Sequence, residues 1–239
     1  MRLDHYLVAN GLSPTRSQAR EAILRGAVKV DGTVATRAGQ KVGQQATVVH
    51  AEPDPYASRA AHKLVHGLDH FAIDPSRASA LDVGASTGGF TDVLLRRGAE
   101  RIIALDVGRG QLAPSLAGDH RVIVLDGVNA RHLDASMLPY RPDLVVSDVS
   151  FISLTLVLPS VLAAAAGACQ LLVLVKPQFE VGPAHVGKGG LVRDRAAIED
   201  AVTRVEATIA DAGFSLMGRT PSPIQGADGN CEFLVAAKR

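Results

Sequence analysis

The sequence predicts an α/β protein with a doubly wound, Rossmann-like sheet, preceded by a small N-terminal α+β domain. Short apolar runs alternate with helical patterns from about residue 58 onwards, as in parallel sheets covered by helices. The first 50 residues instead combine two helical patterns with a hairpin signal. Two prolines in Glu52-Pro53-Asp54-Pro55 stiffen the junction. We therefore predict a first domain over 1–52, a linker over 53–57 and a second domain over 58–239.

Composition bounds the class of protein. The chain has 239 residues, 47% of them apolar, which suffices for a packed core. Its two cysteines, Cys169 and Cys231, are too few for a disulfide framework or a zinc site. This usage fits a cytoplasmic protein, and the N-terminus lacks the apolar core of a signal peptide. The apolar stretch Leu154–Val175 is interrupted by Pro159, so we expect a helix, a turn and a strand without stable membrane insertion.

Charge is distributed unevenly along the chain. Residues 1–50 carry seven Lys and Arg against three Asp and Glu, whereas residues 51–239 carry 18 against 21. A small basic module attached to a nearly neutral one suggests a polyanion-binding arm on a catalytic body.

The first domain is predicted to contain two helices and a hairpin. Val28, Val30 and Val34 alternate across Asp31-Gly32, which is a strong hairpin signal. Spacing on the first helix places Leu3, Tyr6, Leu7 and Leu12 on its apolar face. The second helix opens at Ser13-Pro14-Thr15-Arg16-Ser17-Gln18, and its inward residues are predicted to be Ala19, Ala22, Ile23 and Leu24.

The second domain is predicted to begin with a helix that Ser58 caps and that runs to about His70. A further helix is predicted from Asp194 to Ala212. The candidate strands are 79–83, 101–105, 121–125, 143–147, 171–175 and 231–237.

A glycine-rich turn is the main cofactor signal. Leu81-Asp82-Val83-Gly84-Ala85-Ser86-Thr87-Gly88-Gly89-Phe90 is typical of a strand end, a turn and a helix start. Asp106 ends the next strand, where an acid accepts hydrogen bonds from ribose hydroxyls. Ser86 replaces a glycine of the dinucleotide fingerprint, and no Gly-Lys-Ser/Thr follows as in a P-loop. We therefore expect a nucleoside cofactor without a pyrophosphate.

Other polar residues follow the predicted parallel strands, at the edge where α/β sheets bind ligands. Asp126 follows the third strand, Asp148 the fourth and Lys176 the fifth. A lysine directly after five apolar residues lies at the mouth of a water-poor site. The alternative is a strand-ending lysine that extends to solvent.

The first domain resembles the S4 RNA-binding domain. The resemblance rests on Arg2-Leu3-Asp4, Ser17-Gln18-Ala19-Arg20 and Gly26-x-Val28-x-Val30-Asp31-Gly32. It implies a module for structured RNA, in which basic side chains contact phosphates. The alternative is a solvated charged helix. The residues that we expect to bind RNA are Arg2, Arg16, Arg20, Arg25, Lys29 and, in the second domain, Arg59.

The glycine motif with its downstream acid resembles motifs I and II of class I S-adenosylmethionine (SAM) methyltransferases. This implies a class I SAM methyltransferase sheet with SAM as the cofactor. An ordinary α/β turn remains the alternative. We assign Asp106 to the ribose hydroxyls, and Asp126 with Val128 to the adenine. The full set of expected cofactor residues is Asp82, Gly84, Ser86, Gly88, Gly89, Phe90, Asp106, Asp126 and Val128.

Five further motifs accompany the glycine motif in the second domain: Tyr56-x-Ser58-Arg59-Ala60-Ala61-x-Lys63-Leu64, Ser147-Asp148-Val149-Ser150-Phe151, Val175-Lys176-Pro177-Gln178-Phe179-Glu180, Lys188-Gly189-Gly190-x-Val192-Arg193-Asp194 and Gly229-Asn230-Cys231-Glu232-Phe233. In this order they resemble the TlyA family, often labelled haemolysin A. These are S4-containing ribosomal RNA 2′-O-methyltransferases with an FtsJ-type catalytic domain. The resemblance covers nearly the whole chain. Ala60-Ala61 stands where relatives often carry two glycines, which puts local packing in doubt.

The resemblance implies a catalytic tetrad of Lys63, Asp148, Lys176 and Glu232. Spacing alone would dismiss Lys63 and Glu232 as solvated. Lys176, held by Asp148 and Glu232, would accept or orient the proton of a ribose 2′-hydroxyl, and Lys63 would stabilise the developing alkoxide. The implied substrate is cytidine ribose of ribosomal RNA within ribosomal subunits, and the reaction requires no metal.

Two other patterns in the sequence resemble a nucleotide site and a metal site, but each lacks a required residue. The run Gly182 to Gly189 mimics a P-loop but has glycine where the magnesium-binding Ser or Thr belongs. His62, His66 and His70 share a helix face without a nearby Cys or Glu to complete a metal site.

Three alternative functions stay open from the sequence. One is methylation of a base or a small molecule, against which the two lysines argue. Another is a pore-forming surface haemolysin, which needs a signal peptide or a spanning segment. A third is an RNA-binding protein with an inactive methyltransferase fold, against which the intact tetrad argues.

Overall fold

The computed structural model describes residues 1–24, 26–43, 45–50, 56–226 and 229–239. The chain forms two compact units, Met1–Pro55 and Tyr56–Arg239. Arg25 and residues 53–55 of the predicted linker lie outside the described residues.

The second unit begins at Tyr56, two residues before the predicted boundary. Ala57 N donates to Asp92 Oδ2 at 2.8 Å, and the Arg96 guanidinium lies 5.3 Å from the centre of the Tyr56 ring. Tyr56 and Ala57, predicted to be linker, are therefore anchored to the second unit by a hydrogen bond and a cation–π contact.

The first unit packs two helices against a small antiparallel sheet. Its helices are α1 (Leu3–Ala9) and α2 (Arg16–Leu24), and its strands are β1 (Val28–Val30), β2 (Thr33–Val34) and β3 (Val48–His50), in the order β2-β1-β3. The hairpin turns at Asp31-Gly32 as predicted, whereas β3 was not predicted. Leu3, Leu7 and Ile23 are fully buried in its core.

Leu24 does not pack inward as predicted, since it is 65% exposed. Ala19 and Ile23 lie four residues apart on the buried face of α2. Leu24 stands about 100° further around the helix, which turns its side chain to solvent.

The second unit is built on a seven-stranded sheet in the order β6-β5-β4-β7-β8-β10-β9. The five strands β4 to β8 run parallel, and β10 runs antiparallel to both of its neighbours. The predicted doubly wound α/β class is confirmed, while β9 was not predicted. The strands are β4 (Ser79–Val83), β5 (Arg101–Asp106), β6 (Val122–Asp126), β7 (Leu144–Ser147), β8 (Gln170–Val175), β9 (Ser215–Pro221) and β10 (Phe233–Lys238).

Helices cover both faces of this sheet. The helices of this unit are α3 (Ala61–His70), α4 (Gly89–Arg96), α5 (Pro114–Ala117), α6 (Leu154–Ala164), α7 (Pro177–Glu180) and α8 (Arg195–Asp211), with short 3₁₀ turns at 130–132, 135–137, 183–185 and 188–190. Helices α3, α4 and α5 share one buried apolar cluster with the sheet. Helices α6 and α8 share the other, on the opposite face.

Two helix starts illustrate what local sequence could predict. The helix predicted from Asp194 to Ala212 is α8, and Asp194 is its cap, since its Oδ1 accepts from Ala196 N at 3.0 Å and Ala197 N at 3.2 Å. The predicted cap at Ser58 is wrong, because α3 begins at Ala61 and has no side-chain cap. Ser58 instead lies against the backbone of Gly89, where a β-carbon would stand within 2.2 Å of its Oγ.

The apolar stretch Leu154–Val175 forms α6 and β8, as predicted. Among the described residues, none of the helices has both the length and the apolar character to span a bilayer.

Candidate active site

A cavity of about 540 Å³ opens at the carboxyl ends of the parallel strands. Its walls include the glycine turn after β4, the end of β5 and the segment after β7. Of the expected cofactor residues, Gly84, Ser86, Asp106 and Val128 line it. This is the position at which open α/β sheets bind ligands.

Asp106 connects two walls of this cavity. Its Oδ2 accepts from Ser86 N at 2.9 Å, and its Oδ1 accepts from Gly108 N at 2.7 Å. Each carboxylate oxygen retains a second lone pair for a ribose hydroxyl. Val128 and Val149 supply apolar lining. A carboxylate, a close backbone turn and an apolar wall together fit the ribose and base of SAM.

Several predicted cofactor residues lie behind the cavity wall. Gly88 is packed against Leu112 and Leu116, and Gly89 against Ser58. Phe90 is buried in the core between α4 and the sheet. These residues therefore hold α4 in place. The sequence could not reveal this, because a glycine that admits a neighbouring side chain looks the same as a glycine that admits a ligand.

Asp126 also binds backbone. Its Oδ2 accepts from Gly110 N at 2.7 Å, which fixes the loop that follows Asp106. Its neighbour Val128 lines the cavity, so an adenine contact is better assigned to Val128 than to Asp126.

Asp82 is fully buried beneath the glycine turn. Its Oδ2 accepts from Thr91 Oγ1 at 2.6 Å, and its Oδ1 has no hydrogen-bond partner among the described residues. Burial raises the pKa of Asp82 to about 7, although the Thr91 hydrogen bond opposes the shift. Asp82 therefore supports the turn from below, and its raised pKa sets it apart from an exposed carboxyl group.

Lys176 and Asp148 form an ion pair at the cavity rim. Lys176 follows β8 and Asp148 follows the neighbouring β7, and Lys176 Nζ lies 2.5 Å from Asp148 Oδ1. Lys176 Nζ also donates to Ser150 Oγ at 2.7 Å. Asp148 and Ser150 line the cavity, which places a buried ammonium group beside the cofactor space.

Lys63 and Glu232 form a second pair, with 2.5 Å between Lys63 Nζ and Glu232 Oε2. Both side chains are largely buried, at 10% and 2% exposure. In the antiparallel β8–β10 register Phe233 stands opposite Val175. Glu232, which precedes Phe233, is therefore level with Lys176, which follows Val175. The carboxylate nevertheless binds Lys63. The expectation that Glu232 holds Lys176 is therefore corrected, and that role belongs to Asp148 and Ser150.

Phe151 stands at the mouth of the cavity. It is 91% exposed, and its ring centre lies 5.2 Å from that of Phe179. Its φ of +64° is unusual for a residue with a bulky side chain. The fold therefore presents an aromatic face to solvent beside the Lys176–Asp148 ion pair.

The first unit carries a concave basic surface, which encloses a cavity volume of about 580 Å³. Arg2 and Arg16 both pair with the buried Asp4, whose pKa is held well below its usual range by the Arg2 hydrogen bonds. Arg20 and Arg37 line the same surface. Lys29 is exposed on β1, and Arg59 is exposed in the second unit.

Sequence reasoning missed Arg37, Ser150 and Glu180. Ser150 and Glu180 lie in the same sequence motifs as Asp148 and Lys176, so membership of those motifs was the available signal. Arg37 had only its charge to single it out. At the histidines, His66 faces Thr220 and His70 faces Phe71. No group of three or more potential metal ligands occurs among the described residues.

The fold and site define a class of protein. The family model for FtsJ-like methyltransferases matches residues 56–239, and the S4 domain model matches residues 1–48. The prediction of SAM as the cofactor is thereby confirmed, and the chain is a methyltransferase with an S4 domain.

The chain belongs to the TlyA family. It is 45% identical to the 16S/23S rRNA (cytidine-2′-O)-methyltransferase TlyA of Mycobacterium tuberculosis, and the match covers 98% of this chain and 88% of that relative. It is 40% identical to Hemolysin A of Brachyspira hyodysenteriae over 98% of both chains. A solved structure from Streptococcus thermophilus, provisionally named a hemolysin, is similar at 36% identity and TM-score 0.78, covering all of this chain and 88% of the other.

Proposed function

We propose that this enzyme transfers a methyl group from SAM to the 2′-hydroxyl of cytidines in ribosomal RNA, acting on ribosomal subunits in the cytoplasm. The observation that carries the proposal is the Lys176–Asp148 pair at the rim of the cofactor cavity. The name of the Mycobacterium relative supports the nucleotide and the RNA.

Bound SAM would supply an activated methyl group. Gly84 and Ser86 would hold its methionine portion, Asp106 its ribose hydroxyls and Val128 its adenine. Positioning is a large part of the catalytic task, because an in-line methyl transfer needs mainly correct placement of the two reacting groups.

Lys176 acts on the incoming hydroxyl in this proposal. Its side-chain nitrogen, fixed by Asp148 and Ser150, would orient the 2′-oxygen and, as the neutral amine, accept the hydroxyl proton as the bond from oxygen to the methyl carbon forms and the bond from sulfur to that carbon breaks. Lys63, which is held in an ion pair with Glu232, would stabilise negative charge on that oxygen.

RNA binding is divided between the two units. The arginines around Asp4 would contact phosphates. Phe151 offers an exposed ring on which an unstacked base can lie, the usual way in which proteins hold single nucleotides of RNA.

The test is transfer of tritiated methyl groups from SAM to isolated small and large ribosomal subunits that lack the modification. We expect label in ribosomal RNA that nuclease mapping assigns to cytidine ribose. Lys176→Ala should reduce the rate by about 100-fold or more while SAM still binds by calorimetry. Label on neither subunit would contradict the proposal. Label on a base would move the reaction away from the ribose.

A further inference from the structure

Glu180 ends α7, four residues beyond Lys176, and both of its carboxylate oxygens are in use. Oε1 accepts from Leu154 N at 2.8 Å, and Oε2 accepts from Ser153 Oγ at 2.5 Å. Ser153 and Leu154 form the N-terminus of α6. Glu180 therefore joins the segment that follows β8 to the segment that follows β7.

A carboxylate is well suited to this position. The first N–H groups of a helix lack partners within the helix, and the helix dipole favours negative charge there. Arg204 Nη2 also donates to Glu180 O at 2.8 Å, which anchors the residue to α8. Glu180 is thus held at its backbone and engaged at both side-chain oxygens.

Three contacts connect the 148–153 loop to the 176–180 segment. Nearest to the sheet, Lys176 binds Asp148 and Ser150. Further out, the Phe179 ring lies beside Phe151. Last comes the contact of Glu180 with the start of α6. The first two involve residues that we place at the reacting groups, whereas Glu180 faces the helix.

The loop held in this way is strained at Phe151, whose φ is +64°. A bulky residue keeps such a conformation only when its surroundings enforce it. The loop is fixed at one end by β7 and at the other by α6. Glu180 supplies hydrogen bonds at the α6 end, directly beyond the strained residue.

We propose that Glu180 is a positioning residue for methyl transfer, which holds the 148–153 loop so that Asp148 and Ser150 reach Lys176 and Phe151 faces the RNA. The proposal rests on the proposed function, because it takes Lys176 to act on the 2′-hydroxyl. Glu180 acts through the loop and does not itself handle the proton.

The decisive comparison is between Glu180→Ala and Glu180→Gln in the full-length protein. The alanine variant loses both contacts, and a displacement of about 1 Å at the reacting groups costs about 100-fold in rate. The glutamine variant keeps both contacts, since its amide can accept from Leu154 N and donate to Ser153 Oγ. We therefore expect kcat about 100-fold down in the first and within about fivefold of wild type in the second.

Matched measurements separate this role from simple loss of structure. Glu199→Ala removes a carboxylate from an exposed pair with Arg219 and should leave kcat unchanged. The Leu154 amide should exchange with deuterium faster in Glu180→Ala than in Glu180→Gln. If the alanine variant does not fold, Glu180→Asp takes its place, because its side chain is one methylene too short to reach Leu154 N.

Two results would overturn the positioning role. One is a Glu180→Ala enzyme with kcat within twofold of wild type. The other is a folded Glu180→Gln enzyme as inactive as Glu180→Ala, which would assign the function to the charge. A wild-type enzyme that labels neither subunit contradicts the proposed function instead, and hydrogen exchange at Leu154 then decides whether Glu180 holds the loop.

Discussion

A β-carbon on Gly84 would stand 2.8 Å from the carbonyl oxygen of Asp148. The glycine turn of the cofactor cavity and the strand end that carries Asp148 are therefore in backbone contact. The cofactor cavity and the Lys176–Asp148 ion pair therefore share one wall. A change in the glycine turn should alter the position of Asp148, and a change at Asp148 should alter the turn.

Gly84→Ala should weaken SAM binding and methyl transfer together. The added methyl group meets Asp148 backbone, and the φ of +85° at this residue disfavours any side chain. We expect a loss of about 1 to 3 kcal/mol in stability, measured by urea denaturation, with weaker SAM binding by calorimetry. Gly167→Ala is the control, because nothing lies within 4 Å of its β-carbon position. Equal behaviour of the two variants would contradict the shared wall.

Lys63→Met should destabilise the enzyme strongly, because it leaves Glu232 buried without its cation. Removal of one partner of a buried pair costs about 3 to 5 kcal/mol. Adding Glu232→Gln to Lys63→Met should recover part of that loss, as urea denaturation of the two single variants and the double variant will show. Arg97→Met, which removes the cation of an exposed pair with Asp69, should cost less than about 1 kcal/mol. Additive losses at Lys63 and Glu232 would argue against direct coupling.

Asp82 should make stability fall as pH rises. Burial raises the pKa of Asp82 from 3.8 to about 7, so between these values the folded chain holds a proton that the unfolded chain has released. The stabilisation is complete below about pH 4 and is lost as pH rises through 7, by at most about 4 kcal/mol. Asp82→Asn should lack this dependence in urea denaturation at a series of pH values. The exposed Asp211→Asn should retain it.

Asp106→Asn should weaken SAM binding more than Asp126→Asn does. Asp106 lines the cavity, whereas Asp126 holds the neighbouring backbone at Gly110. Loss of a hydrogen bond to a charged group costs about 1.5 to 3 kcal/mol, or about tenfold or more in affinity. Calorimetry with SAM measures both variants. A larger effect at Asp126 would restore the adenine contact that the sequence suggested for it.

Arg20→Ala should weaken binding to ribosomal RNA at every salt concentration and reduce the slope of log affinity against log salt by about 1. Arg20 lines the basic surface of the first unit without being a partner of Asp4 in the described ion pairs. Lys238→Ala, at an exposed position on β10, serves as the control. An unchanged slope for Arg20→Ala would remove this residue from the RNA contact.

The parallel strands could be predicted because each is an apolar run that ends in a turn or a polar residue. Strands β3 and β9 could not, since β3 is short and, unlike β2, is not joined to its partner β1 by a tight turn, and β9 is mostly exposed with glycine, arginine and threonine in it. Lys63 and Glu232 came from the resemblance alone, and their pairing with each other depends on where the antiparallel β10 begins. Gly88 and Gly89 were assigned to the cofactor from the glycine motif, and their packing against Leu116 and Ser58 could not be predicted because these neighbours are distant in sequence.

The order of the sheet also has a consequence for how the protein folds. Strand β9 precedes β10 in the chain, yet the sheet places β10 between β8 and β9. Strand β9 therefore has no place to dock until β10 has inserted, and the same insertion delivers Glu232 to Lys63. Docking of these two antiparallel strands therefore completes the edge of the sheet and the Lys63–Glu232 ion pair together, so half of the lysine-bearing site depends on β10.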